Sequence, residues 1–399
     1  MEMSSGLPEE FKEKLESMIA TIMAQGRIPG VSLALVKDDR VIYARGFGAR
    51  NLKDNVPATP QTLYGIGSCT KSFTALAIMQ LAEQGKLDVH DPVEKYIPEF
   101  KIGNKENPIT IHNLLTHSSG VPNLGVAEIL IMRASGLDEK WVPMSGLDDL
   151  FLHINGAKEE VAAEPGKRFF YFNTGYTLLG EIVERVSGMK YEDYVRKKIL
   201  NPLKMNRSTF LKEDSDRDSD VMTAYFVQSK DGDVTVTPTT HPFHKFIYAP
   251  GGLLSSVMDL TNYLIANMNA GVFEDARLLD ASLLKEMYKP HVETNFPSLF
   301  GKVAYGYGWM VYDDFLGHKL VEHGGSTGVS SADLAFEPDL KIGVALAANM
   351  GGTPLTSVIP LGVMAFLMGK DPEKEIPIFE IEKKLSMLAG VYESYKGIN

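Results

Sequence analysis

A serine and a lysine three residues apart, Ser68 and Lys71, have the types and spacing of a nucleophile and its base. They follow a glycine-containing turn and precede an apolar run, Phe73 to Ala82, which ends near Gly85. This pattern predicts a buried helix with Ser68 in its first turn. Residues three apart share a helix face, and burial disfavours the charged form of a lysine. Lys71 could therefore accept a proton from the Ser68 hydroxyl.

Ser-x-x-Lys alone is a weak signal, because the same spacing occurs at two other places in the sequence, Ser187/Lys190 and Ser282/Lys285. Gly188 interrupts the first of these pairs, and Asp280 before the second predicts an N-cap at an exposed helix start. Only the pair at Ser68 combines a glycine turn with a predicted buried helix.

A second candidate group is Tyr171-x-Asn173. A tyrosine hydroxyl near a cationic lysine has its anionic form favoured and can shuttle protons. Asn173 offers both a donor and an acceptor to a substrate amide. The alternative is a buried tyrosine with one hydrogen bond, and an asparagine that caps a helix starting at Thr174.

A third candidate group is the glycine-rich segment from Glu322 to Gly328. His323 could bind a substrate carboxylate or relay a proton. Glycines such as Gly325 allow close backbone approach to a ligand, and the Ser326 N–H could join that of Ser68 as an oxyanion hole. The alternative is a glycine-rich turn with an ordinary surface histidine.

Other nucleophiles and a metal are disfavoured. Ser326 lies in Gly-x-Ser-x-Gly, but that motif needs a helix after the turn, and Ser330 to Phe336 predicts a strand. Cys69 is expected in the core, and His117 is expected to fix its loop. No metal site or cofactor is predicted, since five histidines lack metal-ligand spacing: His112, His241, His244, His291 and His318.

Composition narrows the classes further. The chain has 399 residues, a formal net charge of -11 and one cysteine. The acidic balance disfavours a nucleic-acid partner, and a single cysteine excludes an internal disulfide. Neither a signal peptide nor an apolar run of about eighteen residues is visible, so we expect a cytoplasmic protein without a membrane partner.

The elements that position these groups come from both ends of the chain. Helices are predicted at Pro8 to Gln25, Thr174 to Val186, Tyr191 to Leu200 and Leu355 to Met368, and one starts near Ser255 to Asp259. Strands are predicted at Val31 to Val36, Val41 to Phe47, Tyr307 to Tyr312, Lys319 to His323, Ser330 to Phe336 and Ile342 to Ala348. We therefore expect an α+β fold, with an antiparallel sheet built from both termini and a helical insert. The site should lie where the insert meets the sheet.

Ser68-x-x-Lys71, Tyr171-x-Asn173 and His323-Gly324-Gly325 together resemble the three motifs of the serine β-lactamase and penicillin-binding-protein superfamily. The closest similarity is to the class C β-lactamase-like branch, which includes DD-peptidases, D-aminopeptidases and esterases, and within it to archaeal serine peptidases. Four further segments of this sequence resemble landmarks of the family: Leu114 to Pro122, Pro165-Gly166, Pro202-Leu203-x-Met205 and Ala249 to Leu253. The resemblance covers roughly residues 10 to 370.

By this resemblance, Ser68 is acylated and Lys71 and Tyr171 form the general-base pair. The amides of Ser68 and Ser326 would form the oxyanion hole. Asn173 and His323 would hold the substrate.

Many β-lactamases have Lys-Thr-Gly where this chain has His323-Gly324-Gly325, which favours peptidase or esterase activity over β-lactam hydrolysis. We expect a serine hydrolase of the SxxK type, foremost a peptidase acting on a small peptide, amide or ester, with D-amino-acid-containing peptides among the candidates. A carboxylesterase, a β-lactamase or a non-catalytic penicillin-binding-like sensor are the alternatives, and a homo-oligomer is left open.

The predicted catalytic domain spans residues 1–370, with its sheet part at about 8–85 and 300–370 and its helical insert at about 86–299. Residues 371–399 are expected to be a linker and the start of a C-terminal β-barrel domain. Within them, Leu388 to Tyr392 resembles the first strand of the barrel carried by some relatives.

Overall fold

The computed structural model describes residues 3–4, 6–137, 144–230, 233–298, 300–351, 355–377, 381 and 384. Its strands are β1 (Met3–Ser4), β2 (Gly30–Lys37), β3 (Arg40–Asn51), β4 (Val56–Pro57), β5 (Tyr64–Gly65), β6 (Ala224–Lys230), β7 (Asp233–Thr239), β8 (Leu254–Ser255), β9 (Val272–Phe273), β10 (Ala276–Arg277), β11 (Val292–Glu293), β12 (Val303–Tyr305), β13 (Met310–Phe315), β14 (His318–Ser326), β15 (Ser331–Glu337) and β16 (Ile342–Ala348). Its helices are α1 (Glu9–Gly26), α2 (Thr70–Glu83), α3 (Ile111–Leu115), α4 (Val126–Ala134), α5 (Leu147–Gly156), α6 (Asn173–Ser187), α7 (Tyr191–Val195), α8 (Lys212–Arg217), α9 (Lys245–Gly251), α10 (Val257–Met268), α11 (Ala281–Met287), α12 (Leu355–Leu367) and α13 (Pro372–Glu375).

One large antiparallel sheet organises the molecule, in the order β1-β3-β2-β16-β15-β14-β13-β12-β11. Strands from the two ends of the chain meet at its centre, where Ala34 of β2 lies opposite Ala345 of β16. The predicted α+β fold, with a sheet built from both termini, is confirmed.

Helices cover both faces of this sheet. One face packs with α2, α6 and α10 into a large core that includes Leu334 and Ala345. The other face packs on α1 and α12 through residues such as Leu33 and Leu346. Because side chains alternate along a strand, each buried strand supplies both cores.

Helix α2 lies inside the larger core. All of its residues from Thr70 to Leu81 are buried, as its apolar composition predicted. The helix ends where Gly85 adopts a φ of 68°, which its lack of a side chain permits. The predicted buried helix and its glycine stop are confirmed.

Strand β13 begins later than predicted, at Met310. The predicted start at Tyr307 falls in a turn, where the Gly306 N–H donates to the Trp309 carbonyl and Gly308 has a φ of 74°. Two glycines around an aromatic residue therefore outweigh the strand propensity of the segment. The β6–β7 hairpin had no counterpart among the predicted elements.

Helices α3 to α11 lie between α2 and β11 in sequence, where a helical insert was expected. The domain bounds themselves stay a prediction, and Leu388 to Tyr392 lie outside the described residues. Within the described part of the chain, no helix combines the length and apolarity needed to cross a bilayer.

Candidate active site

Ser68 lies in a 3-10 turn, Gly67–Cys69, directly before α2. Gly67 has a φ of 53°, and a methyl group on it would lie 2.4 Å from the Ser326 nitrogen. A methyl group on Gly325 would lie 2.0 Å from the Ile66 carbonyl oxygen. Both positions therefore require glycine, and together they let the end of β14 approach the Ser68 turn closely.

Lys71 is one turn further along and completely buried. Its Nζ lies 3.0 Å from Ser68 Oγ, 2.8 Å from Asn173 Oδ1 and 2.7 Å from the Pro250 carbonyl oxygen. The last two partners can only accept a hydrogen bond. An ammonium would donate to all three partners, whereas a neutral amine has two N–H groups for the carbonyl-type oxygens and a lone pair for the Ser68 hydroxyl, so the geometry accommodates both forms.

The electrostatics of the site favour the neutral form of Lys71. Burial lowers the pKa of Lys71 to about 7, and the Glu128 carboxylate opposes part of this shift. A substantial fraction of the amine is therefore unprotonated near neutral pH, in contact with the hydroxyl that it would deprotonate.

Tyr171 lies beside this pair, with its ring centroid 4.8 Å from Lys71 Nζ. Its segment is fixed by buried His117, whose carbonyl accepts from the Phe170 N–H and whose Nδ1 accepts from the Phe172 N–H. This agrees with the prediction that His117 fixes its loop.

The predicted preference of Tyr171 for its anionic form is wrong. Burial raises the pKa of the Tyr171 phenol well above its usual value, and its hydrogen bond to Ser68 offsets only part of that shift. The expectation assumed a cationic neighbour, but burial also leaves a substantial fraction of Lys71 neutral near neutral pH. Tyr171 therefore remains a phenol with an O–H to donate.

Asn173 is the first residue of α6 rather than its N-cap, and the N-cap Phe172 makes no side-chain capping bond. The Asn173 side chain turns to the site instead. Its Oδ1 accepts from Lys71, and its Nδ2 donates to Glu128 Oε1 at 2.9 Å. The capping alternative for Asn173 is thereby excluded, and the residue links the lysine to a carboxylate.

His323 is completely buried, so the surface-histidine alternative is wrong. Its Nδ1 lies 2.6 Å from the Gly324 carbonyl oxygen, and its Nε2 lies 2.8 Å from the Tyr305 hydroxyl. A carbonyl can only accept, which assigns the proton to Nδ1 and makes Nε2 the acceptor. Burial lowers the pKa of His323 to about 3, so the ring is neutral.

A cavity of about 210 Å³ opens beside Ser68. Asn173 and Ser326 line it, which brings together one residue from each of the three predicted groups. The β14 backbone at Gly325 packs against the same turn. The Ser68 hydroxyl therefore faces a small space, with a lysine amine, a phenol and closely approaching backbone amides packed around the serine, as acyl transfer requires.

The competing candidates lie elsewhere or cannot react. Ser282 and Lys285 are exposed on α11, where Asp280 forms the predicted N-cap, and Gly188 ends α6 in the left-handed conformation between Ser187 and Lys190. Strand β15 follows Ser326, as expected, so the strand–turn–helix geometry is missing. Buried Cys69 donates to the His323 carbonyl, and burial raises the pKa of its thiol well above the usual value.

Three contributors to the site were not predicted from the sequence. Pro250 supplies a carbonyl at the end of α9, where helix carbonyls lack intrahelical partners, and its Pro-Gly-Gly segment was noted only as a landmark. Tyr305 holds His323, and Glu128 bonds to Asn173. Neither of these two lies in a motif.

Within the described ranges, no group of three or more histidine, cysteine, aspartate or glutamate residues could hold a metal ion.

The Beta-lactamase family model matches residues 15–358 of the sequence. The chain belongs to the β-lactamase family. Its structure has the fold of serine β-lactamase and penicillin-binding-protein-like hydrolases.

Two solved structures and one curated relative are similar to the chain. An octameric penicillin-binding protein homologue from Pyrococcus abyssi is 44% identical, with a TM-score of 0.89 over 96% of this chain and 83% of that one. A class C β-lactamase has a TM-score of 0.72 over 91% of this chain and 98% of that one, and at 20% identity it shares the fold alone. Protein flp of Staphylococcus aureus is 28% identical over 352 residues, or 86% of this chain. The chain spans 64% of the length of that relative.

Proposed function

We propose that the protein is a serine hydrolase that forms an acyl-enzyme on Ser68, and specifically a serine peptidase of the SxxK type. The observation that carries this proposal is the set of partners around Lys71. Burial lowers the pKa of Lys71 to about 7, and in its neutral form an amine that donates to two carbonyl-type oxygens has its lone pair left for the Ser68 hydroxyl. A lysine in that state is a general base for a serine nucleophile.

In acylation, Ser68 Oγ forms a bond to the substrate carbonyl carbon while its proton passes to Lys71 Nζ. The carbonyl oxygen becomes an oxyanion that accepts hydrogen bonds from the Ser68 and Ser326 amides. The bond from carbon to the leaving amine then breaks. Tyr171 donates its hydroxyl proton to that nitrogen, and the proton held by Lys71 replaces it. Water then attacks the ester carbon, its proton returns to Ser68 Oγ, and the acid product leaves.

Asn173 and His323 hold this arrangement in different ways. Asn173 fixes Lys71 and presents its amide to the cavity. His323 has both ring nitrogens bonded to protein atoms, so we propose that it acts on the substrate indirectly, by fixing the end of β14 that carries Ser326.

The chain is also proposed to form a homo-oligomer, because the Pyrococcus abyssi homologue is described as octameric. Light scattering on the purified chain checks this, and a monomer at all concentrations would contradict it.

The function is tested in two steps. A fluorophosphonate probe should label the protein, and peptide mapping should place the label on Ser68. Ser68→Ala should abolish labelling, whereas Ser282→Ala, which changes an exposed Ser-x-x-Lys serine, should leave it unchanged. Labelling that persists in Ser68→Ala would refute the nucleophile.

The second step presents short peptides of D- and L-residues, short esters and a β-lactam to the wild-type protein. Peptide hydrolysis that depends on Ser68 supports the peptidase. Turnover of esters or of the β-lactam alone would replace the peptidase by an esterase or a β-lactamase. Labelling without turnover of any of them would identify a sensor.

A further inference from the structure

The wall of the cavity beside Ser68 carries a carboxylate that the mechanism above does not use. Glu128 projects from α4, next to the apolar side chains of Ile131 and Met132 on the same helix. It is the one acidic or basic residue among the described residues that line this cavity, which are Ser68, Ala127, Glu128, Ile131, Met132, Asn173, Ile247, Pro250, Gly251, Ser326, Thr327 and Gly328.

The Glu128 carboxylate is held in place by one oxygen only. Oε1 accepts from Asn173 Nδ2 at 2.9 Å and from Asn123 Nδ2 at 2.7 Å. For the part of the chain described, Oε2 has no hydrogen bond, and no lysine or arginine forms an ion pair with Glu128. Two neutral amides therefore orient the carboxylate without neutralising its charge, and they leave one oxygen available to a ligand.

The charges of the reactive state make this carboxylate conspicuous. Lys71 must be neutral to act as a base, and His323 is neutral because burial lowers its pKa to about 3. Tyr171 is an uncharged phenol. The site that is ready to react consequently carries a negative charge on Glu128, and none of the described residues that line the cavity is a lysine or an arginine.

We propose that Glu128 determines specificity by binding a cationic group of the substrate, such as an ammonium, within the cavity at Ser68. This inference rests on the proposed function, since it assigns a substrate class to that site. The apolar wall of Ile131 and Met132 would contact the carbon chain that carries the cation, and Oε2 would face the charge. The negative charge of Glu128 would attract a cation and repel an anion. Cationic substrates are therefore preferred over neutral ones of the same shape.

The test uses pairs of substrates that differ in charge but not in shape. In one pair of p-nitrophenyl esters, the acyl chain ends in trimethylammonium or in tert-butyl, at several chain lengths. In a second pair of thioesters, the same two groups lie on the leaving thiol. Trimethylammonium keeps its charge at every pH, so the ratio of kcat/KM within a pair reports charge selection alone. We expect the wild-type protein to favour the cation by about tenfold in at least one pair.

Glu128→Gln is the decisive variant, because its amide oxygen can still accept from Asn173 and Asn123 while the charge is removed. We expect this variant to bring the ratio of kcat/KM for the cationic and the neutral substrate down to about one. Added salt should lower the same ratio in the wild type, since the carboxylate is exposed. Glu160→Gln, an exposed glutamate away from the cavity, is the matched control and should keep the preference.

A second readout separates charge selection from mere positioning of Asn173. Because the Glu128 charge raises the pKa of Lys71, Glu128→Gln should also move the acidic limb of the neutral substrate's pH profile to lower pH. Equal losses for both members of every pair would show that Glu128 only positions Asn173, and would overturn the proposal. Fluorophosphonate labelling of Ser68 is measured on the same samples. If it occurs without any charge preference, the specificity inference fails while the proposed function stands.

Discussion

Two groups of buried ionisable side chains flank β14, and they differ in what surrounds them. On one face, His323 and Gly325 lie towards the Ser68 turn and Lys71. On the other face, Glu322 lies diagonally opposite Asp333 of β15, since Glu322 pairs with Ala335 and Gly324 with Asp333. Burial raises the pKa of both carboxyls, and the nearby Glu322 raises that of Asp333 further, so the pair holds a proton at neutral pH.

Burial therefore shifts pKa values on both faces of β14, but only on one face does the shifted group contact a nucleophile. Lys71 has three hydrogen-bond partners, one of them a hydroxyl at the edge of a cavity. Asp333 has the Glu322 carboxyl as its partner, with no hydroxyl nucleophile bonded to it among the described residues, and it faces the layer of α1 and α12. A perturbed pKa marks an active site only where it meets a nucleophile and an open space.

The largest effect should come from removing the base. We expect Lys71→Ala to slow acylation of Ser68 by at least about a hundredfold, because losing a general base typically costs about 10²–10⁴-fold. Stopped-flow measurement of single-turnover acylation checks this. A rate within a few fold of the wild type would remove Lys71 from the mechanism.

Tyr171→Phe keeps the ring and removes only the hydroxyl. We expect it, too, to slow acylation by at least about a hundredfold, because the leaving amine loses its proton donor. The double variant with Lys71→Ala should cost much less than the product of the two single effects, since groups that act as a unit are not additive. Strictly multiplicative losses across the four proteins would refute a coupled pair.

The carboxyl pair on the opposite face should affect stability. A pKa that folding raises gives stability that is present below the unfolded-state value, about 4, and is lost as pH rises through the folded-state value. The free energy of unfolding should therefore fall as pH increases from about 4 through the folded-state pKa of Glu322, about 7. Asp333→Asn supplies an N–H donor to Glu322, and we expect it to flatten this fall and to raise stability near pH 8 by about 1 kcal/mol. Urea unfolding at several pH values measures it, and an unchanged pH dependence would count against the shared proton.

Cys69→Ala should have the smallest effect. Cys69 is next to Ser68 but buried, with its thiol donating to the His323 carbonyl. We expect a loss of about 1 kcal/mol in stability, with most turnover retained. Loss of turnover in a variant with a normal melting transition would give Cys69 a part in the chemistry.

The sequence was sufficient for the parts of the site that follow from local patterns. The helix behind Ser68 and the glycine turn before it depend on composition and on residues close in the chain, and a sheet built from both termini followed from strands at both ends. The rest depends on contacts between distant segments. Nothing local to Glu128 places it beside Asn173, and the Pro250 carbonyl reaches Lys71 only through packing of α9 on α2. The prediction of an anionic Tyr171 was wrong for the same reason, because the burial of a side chain depends on the assembled core.

The most direct test of Lys71 as the base that activates Ser68 is the pH dependence of Ser68 acylation. The wild-type protein is mixed with a neutral acylating substrate in single turnover from about pH 5 to pH 10, and mass spectrometry locates the acyl group. Burial lowers the pKa of Lys71 to about 7, and the neutral amine forms as pH rises through that value. We predict an acylation rate that rises with a midpoint near pH 7 and reaches a plateau, with the acyl group on Ser68. A midpoint near that of an ordinary lysine, about 10, or an acyl group on another residue, would contradict it.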